Sequence, residues 1–270
     1  MVVFPNAKIN LGLNVVKKRD DGFHDIETVF YPVNLREVLE IHPTDSKGSS
    51  FSSTGIEIPS NQKGNLVLQA YNLLSNDFDL PNFEFRLHKL IPLGAGLGGG
   101  SADASCTIKA INKNCELELS LTKMENYAAK LGSDCPFFIR NEVTFATGKG
   151  DEFHSIKCDL KGKYILLVNP SIHLSTGLAF SDVRPENKGR NIPEALSYPI
   201  HEWKHLLFND FEPSVFAIHP VLSTLKSTLY SKGALYASMS GSGSTIFGIF
   251  ENKPNTDGVD QYSCWVLPLD

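Results

Sequence analysis

Several things are missing from this 270-residue sequence, and each absence removes a class of protein. No stretch approaches the ~20 apolar residues that cross a bilayer, so no membrane partner is expected. Positive charge is not in surplus: 25 Lys and Arg stand against 30 Asp and Glu, a net charge of −5. A general nucleic-acid binder would carry a basic footprint, so no nucleic-acid partner is expected either. The five cysteines are odd in number, and no two form Cys-x-x-Cys. That argues against a disulfide framework or a thiolate zinc site, and for reduced, mostly buried thiols in a cytoplasmic protein. Pro5, Asn6, Lys8 and Asn10 interrupt any apolar run near the first residue, so no export signal is expected. No Gly-Lys-Ser/Thr closes a Walker A loop. Neither His-Arg-Asp nor Asp-Phe-Gly is present, which argues against a protein kinase.

Glycine, by contrast, is concentrated. Pro92, Leu93, Gly94, Ala95, Gly96, Leu97, Gly98, Gly99, Gly100, Ser101 and Ala102 place five glycines within seven residues. A glycine cluster costs backbone entropy, and close approach of backbone N–H groups to a ligand would account for it. The apolar pattern that follows predicts a helix to about residue 112, capped by Ser101 or Asp103. A glycine loop opening a helix is an anion site, and the anion expected is phosphate. The literal Gly94-x-Gly96-x-x-Gly99 match to a dinucleotide loop is weak. The strand before it, residues 83–90, alternates apolar and polar, whereas a Rossmann strand reads as a continuous apolar run.

Strands are predicted over residues 2–16, 25–33, 38–42, 83–90, 142–147, 164–169, 234–239 and 245–250, and helices over 66–76, 121–131 and 221–231. Residues 44–65 and 181–195 read as exposed polar loops. Strands and helices mix without regular βαβ alternation, which predicts α+β. The length fits two domains, placed at residues 1–158 and 159–270. In the first strand Lys8 and Asn10 share one face, since side chains alternate. Phosphoryl transfer needs a cation near the moving group and a carboxylate near the attacking hydroxyl. Lys8 and Asp134, the latter in Gly132-Ser133-Asp134-Cys135-Pro136, are the candidates. A lone Lys is more often a solvated charge, and an Asp at a helix start more often a cap. His201-Glu202-Trp203-Lys204-His205 spells a zinc-protease motif, but no third ligand follows at a suitable distance except His219, and a surface turn is the better reading.

Together, Ala7-Lys8-Ile9-Asn10-Leu11, Asp21-Gly22-Phe23-His24, the glycine loop, Asp134-Cys135-Pro136-Phe137-Phe138 and Ser240-Gly241-Ser242-Gly243-Ser244 resemble the GHMP kinase superfamily of small-molecule kinases. The pairing of Asp-Gly-aromatic-His with Asp-Cys-Pro-Phe-Phe resembles its branch acting on a cytidine diphosphate-linked methylerythritol in non-mevalonate isoprenoid synthesis. The resemblance implies a ribosomal-protein-S5-like domain followed by a ferredoxin-like domain, with ATP and Mg2+ as cofactors. It implies phosphorylation of the acceptor's 2-hydroxyl, with Asp134 as base and Lys8 orienting it or stabilising charge. Asn10 would touch the substrate near the reacting end. Phe23, where the family usually has Tyr, would stack on cytosine, and His24 would bond its edge. Thr176 and Phe180 would complete the pocket. A monomer or homodimer is expected. Two other readings stay open: a nucleotide-binding module without turnover, and a kinase for another small alcohol such as homoserine or mevalonate.

Overall fold

The structure is a computed structural model and describes residues 1–58, 64–174, 176–181, 183, 185 and 190–269. Its strands are β1 (Val2–Val3), β2 (Asn6–Lys18), β3 (His24–Arg36), β4 (Val38–Thr44), β5 (Ser50–Gly55), β6 (Asn82–Lys89), β7 (Thr144–Thr147), β8 (Glu152–Ser155), β9 (Tyr164–Asn169), β10 (Tyr236–Met239), β11 (Ile246–Phe250) and β12 (Ser263–Pro268). Its helices are α1 (Leu66–Ser75), α2 (Gly99–Asn114), α3 (Leu121–Ala129), α4 (Cys135–Arg140), α5 (Thr176–Ser181), α6 (Ile192–Ala195), α7 (Trp203–Leu206), α8 (Glu212–Ile218) and α9 (Pro220–Ser231). No helix among the described residues is long and apolar enough to cross a membrane.

The chain forms two compact units that interleave along the sequence. The first takes residues 1–7, 35–93 and 98–142; the second takes 8–34, 94–97 and 143–270. In the first unit, one sheet of order β1-β4-β6-β5 lies with α1 to α4. Strand β6 alternates, and Phe83, Phe85 and Leu87 point to the core. Val67, Ala70 and Leu74 of α1 and Ala104, Ile108 and Ile111 of α2 recur at helical spacing and meet them in one cluster. Each such Val, Leu, Ile or Phe side chain contributes roughly 1.5–3 kcal/mol on burial, and each alanine less. The side chain of Asn65 starts α1 by accepting from Val67 N at 2.9 Å and Leu68 N at 3.3 Å.

The second unit has two sheets, of order β2-β3-β7-β8 and β10-β11-β9-β12. In the latter, β9 is buried throughout Ile165, Leu166, Leu167 and Val168, as a continuous apolar run predicts. Helix α9 covers this sheet through Leu222, Leu225 and Leu229.

Three expectations are corrected. Residues 44–65 are not all loop: β5 runs parallel to β6, from Ser50 opposite Glu84 to Gly55 opposite Lys89. As an edge strand it exposes Ser52, Ser53 and Thr54 and buries little besides part of Phe51, so no apolar alternation announced it. The thiols are reduced but not mostly buried; all five cysteines are free, and only Cys135 is fully buried. Burial still pushes the Cys106 and Cys135 thiols up to about 11 and Cys158 up to about 12, which keeps them protonated near neutrality. Finally, neither Ser101 nor Asp103 caps α2. The N-cap is Gly98 in the left-handed region, φ 72°, with no side-chain cap bond. Of the second expected loop, residues 182, 184 and 186–189 lie outside the described residues, and α6 occupies its end.

Candidate active site

Strand β2 carries Lys8 and Asn10 into a buried environment, each only 3% exposed. The reading of Lys8 as a solvated charge is thereby excluded. Their shared face is real: Lys8 Nζ donates to Asn10 Oδ1 at 2.7 Å. Asn10 Nδ2 donates to Thr28 Oγ1 at 2.9 Å, and that hydroxyl donates to Gly12 O at 2.6 Å. This relay fixes which way the Asn10 amide points, because each partner's donor is committed. The Lys8 ammonium also lies 4.9 Å from the centre of the Phe30 ring. Thr28 and Phe30 both lie on β3, and nothing in the sequence alone singled them out.

Residues 94–97 belong to the same unit. Lys8 N donates to Leu97 O at 2.9 Å. The turn at residues 240–244 packs on this half of the loop: Ser240 Oγ donates to Gly96 O at 2.8 Å, and Thr245 N to Ala95 O at 3.2 Å. Asn209 holds that turn by donating to Met239 O and Gly241 O, both at 2.8 Å.

The other half of the loop opens α2 in the first unit. With no side-chain cap, the first-turn N–H groups are not engaged by a capping oxygen, which suits an anion. Asp134 lies in this unit too. It is the N-cap residue of α4 yet makes no capping bond, so the reading of Asp134 as a helix cap fails. Helix α4 is tied to α2 by Ser105 Oγ donating to Cys135 O at 2.6 Å and by Lys109 Nζ donating to Phe138 O at 2.8 Å. At its far end, Asn141 pairs reciprocally with Asn6: amide bonds of 3.1 and 2.8 Å join the two side chains.

Phe23 is exposed, with Lys149 Nζ 5.1 Å from its ring centre. His24 stacks on Phe180, with centroids 4.8 Å apart and planes at 20°. Phe180 also meets Phe211 edge-on at 4.7 Å. Burial lowers the His24 pKa, and the Lys18 charge acts in the same direction. Thr176 opens α5, and its side chain lies outside the described residues. His201 and Glu202 pair with each other at 3.2 Å on the surface. Among the described residues, no three His, Cys, Asp or Glu side chains are grouped to hold a metal.

The chain is similar to known proteins along nearly its whole length. Residues 65–142 match the GHMP kinases N terminal domain, and residues 195–259 match GHMP kinases C terminal. The 4-diphosphocytidyl-2-C-methyl-D-erythritol kinase of Bacteroides thetaiotaomicron is 49% identical over 270 residues, covering 98% of each chain. The chain belongs to the 4-diphosphocytidyl-2-C-methyl-D-erythritol kinase family. The relative of the same name from Cytophaga hutchinsonii is 49% identical over 257 residues, 95% of this kinase and 94% of its own length. A crystal structure of a 4-(cytidine 5'-diphospho)-2C-methyl-D-erythritol kinase superposes with a TM-score of 0.79 at 28% identity, covering 99% and 98%. The homoserine kinase of Cytophaga hutchinsonii shares the fold, with a TM-score of 0.72 at 17% identity over 99% of this chain and 95% of its own. The protein is therefore an ATP-dependent small-molecule kinase with the two-domain α+β GHMP kinase fold.

Proposed function

We propose that the kinase transfers the γ-phosphoryl group of ATP to the 2-hydroxyl of 4-diphosphocytidyl-2-C-methyl-D-erythritol, in the cytoplasm, as a monomer or homodimer. The Asp134 carboxylate takes the hydroxyl proton, the freed oxygen attacks phosphorus, and the bond from phosphorus to the departing ADP oxygen breaks. Lys8 stabilises the charge that develops on the phosphoryl oxygens, and Asn10 orients the acceptor. Residues 92–102 hold the phosphates through backbone N–H groups. Mg2+ enters with ATP as part of that substrate, since such an ion keeps phosphate and water oxygens as most of its ligands. Phe23, His24, Thr176 and Phe180 form the cytidine side. On this reading residues 1–158 serve ATP and catalysis and lend Asn10, Phe23 and His24 to the acceptor, and residues 159–270 complete the substrate side.

The observation that carries this reading is the buried Lys8–Asn10 pair on β2. A fully desolvated ammonium held by a fixed amide makes no sense as surface charge and suits a group acting on a polyanion. Turnover against a panel of alcohols with and without the cytidine diphosphate tests the acceptor; equal rates on the cytidine-free alcohol would sink it. Asp134→Asn tests the chemistry. It should lower turnover more than tenfold while ATP affinity stays within a few-fold, because the base acts on the acceptor and not on the nucleotide.

A further inference from the structure

A second buried lysine lies under the glycine loop and has no part in the transfer described above. Lys89 closes β6 and is 1% exposed. Its Nζ donates to Glu37 Oε2 at 2.9 Å and to Asp103 Oδ2 at 2.8 Å. The other Glu37 oxygen accepts from Ile91 N at 2.8 Å. Glu37 itself sits between β3 and β4, where its N–H donates to Pro5 O at 2.8 Å. Asp103 lies in the second turn of α2. The three side chains therefore join the chain just before the loop, the helix just after it, and the link that precedes β4. The start of α2 rests directly on this cluster. A Cβ on Gly99 would come within 2.9 Å of Ile91 Cγ2 and 3.1 Å of Lys89 Nζ.

Stability gives little reason for such a cluster. Buried ion pairs often do no better than apolar side chains of the same volume, because desolvation offsets the attraction. Here one more polar atom is left unmatched: Asp103 Oδ1 is buried without a hydrogen-bond partner among the described residues. Burial raises the Asp103 pKa well above the usual carboxylate range, with Glu37 acting in the same direction and the Lys89 ammonium opposing it. What the cluster does provide is geometry, since an ammonium bonded to two carboxylates on different segments fixes both at once.

We propose that Glu37, Lys89 and Asp103 are positioning residues that clamp the two ends of the glycine loop, so that the first turn of α2 presents its N–H groups to the ATP phosphates in one fixed arrangement. This rests on the loop being the ATP phosphate site. The clamp acts through the backbone of α2, and none of the three needs to touch the nucleotide.

The test uses the full-length chain with Glu37→Gln, Lys89→Met and Asp103→Asn combined, which removes every charge at nearly constant volume and leaves none unpaired. Two readouts are taken. The first is hydrogen exchange of the amides of residues 102–105 without ligand; the Ala102 N–H closes the first turn on Gly98 O at 2.9 Å. The second is KM for ATP against KM for the acceptor. Exchange and the KM for ATP should each rise at least tenfold, with the acceptor KM within twofold. If the triple variant does not fold, Asp103→Asn alone decides, with at least threefold on both readouts. A folded variant with both readouts within twofold of wild type overturns the clamp. Faster exchange in a protein whose wild-type form binds no ATP would support the clamp and sink the phosphate site.

Discussion

The glycine-rich stretch is really two regions with different reasons for their glycines. Gly94 and Gly96 have φ of 62° and 76°, and a Cβ on either would meet other parts of the protein. On Gly94 it would stand 3.2 Å from His173, and on Gly96 only 1.9 Å from Ser240 O. These two glycines are explained by backbone conformation and packing before any ligand is considered. Gly99 and Gly100 are helical, and Gly100 would bring its Cβ no closer than 3.4 Å to Leu66 Cδ1. For Gly100, packing gives no reason, and close approach of a phosphate is the reason the proposed function supplies. The count of five glycines was thus an overestimate of the ligand's share.

The strongest way to break this contrast is Gly96→Ala. Left-handed strain costs about 1–2 kcal/mol, and forcing a methyl into packed backbone costs about 1–3 kcal/mol. At ~2–4 °C per kcal/mol for a protein of this size, calorimetry should find Tm lower by roughly 4 °C or more. A variant that melts like wild type would show that the turn at 240–244 does not need the close approach.

Next in size is Phe180→Ala, which asks the packing question of the ring pair. If Phe180 only fills space beside His24 and Phe211, its loss should change stability and leave the acceptor KM alone. If it stacks on cytosine, the acceptor KM should rise by about ten- to a hundredfold, from ~1–3 kcal/mol per stacked base, with the KM for ATP unchanged. Steady-state kinetics separates the two.

Gly100→Ala has a smaller effect and sharpens the comparison most. Alanine is better than glycine in a helix by ~0.5–1 kcal/mol, and its Cβ has room. Tm should stay or rise, while affinity for a non-hydrolysable ATP analogue falls several-fold. Unchanged affinity by calorimetry would move the phosphates away from this turn. Gly99→Ala cannot make the distinction, since its Cβ would press on Ile91 and Lys89 and disturb fold and loop together.

Much of this was written in the residues. The alternation of β6 placed Phe83, Phe85 and Leu87 inward, and the same period puts Lys89 inward as well. The signal for the buried cluster was visible in a single strand; its carboxylate partners, 52 and 14 residues away, were not. Lys8 and Asn10 stood out because a charged and an amide side chain share one face of an otherwise apolar strand, and Asp134 because it puts a carboxylate just past a helix; burial then excluded a solvated face for Lys8 and Asn10. Edge strand β5 and the final strand β12 escaped for a common reason. Polar residues dominate the first, and β12 is half-buried along most of its length, so neither alternates cleanly. The Asn6–Asn141 pair was illegible because it joins an ordinary strand residue to a left-handed helix end, φ 58°, 135 residues later.

The smallest expected effect concerns His24, where packing and recognition act on one proton. Stacking against Phe180 removes water from the imidazole, and Lys18 adds repulsion, so the folded pKa lies below the ordinary 6.5. The unfolded chain then binds this proton more readily than the folded one. Stability from His24 is complete above about pH 6.5 and is lost as pH falls from there through the lower folded value. Phe180→Ala opens one face of the ring to water, so His24 should titrate closer to 6.5 and the acid loss should shrink. Nuclear magnetic resonance titration of the His24 ring in both proteins measures this directly. At neutral pH the uncharged ring offers one donor and one acceptor, which suits a base edge, whereas the protonated ring offers two donors. The acceptor KM should therefore rise as pH drops through the folded His24 pKa, with the KM for ATP flat across the same window. A wild-type midpoint at or above 6.5, or one that Phe180→Ala leaves in place, would mean that the stacked pair does not shield the imidazole and that its neutral form is not what the ring pair protects.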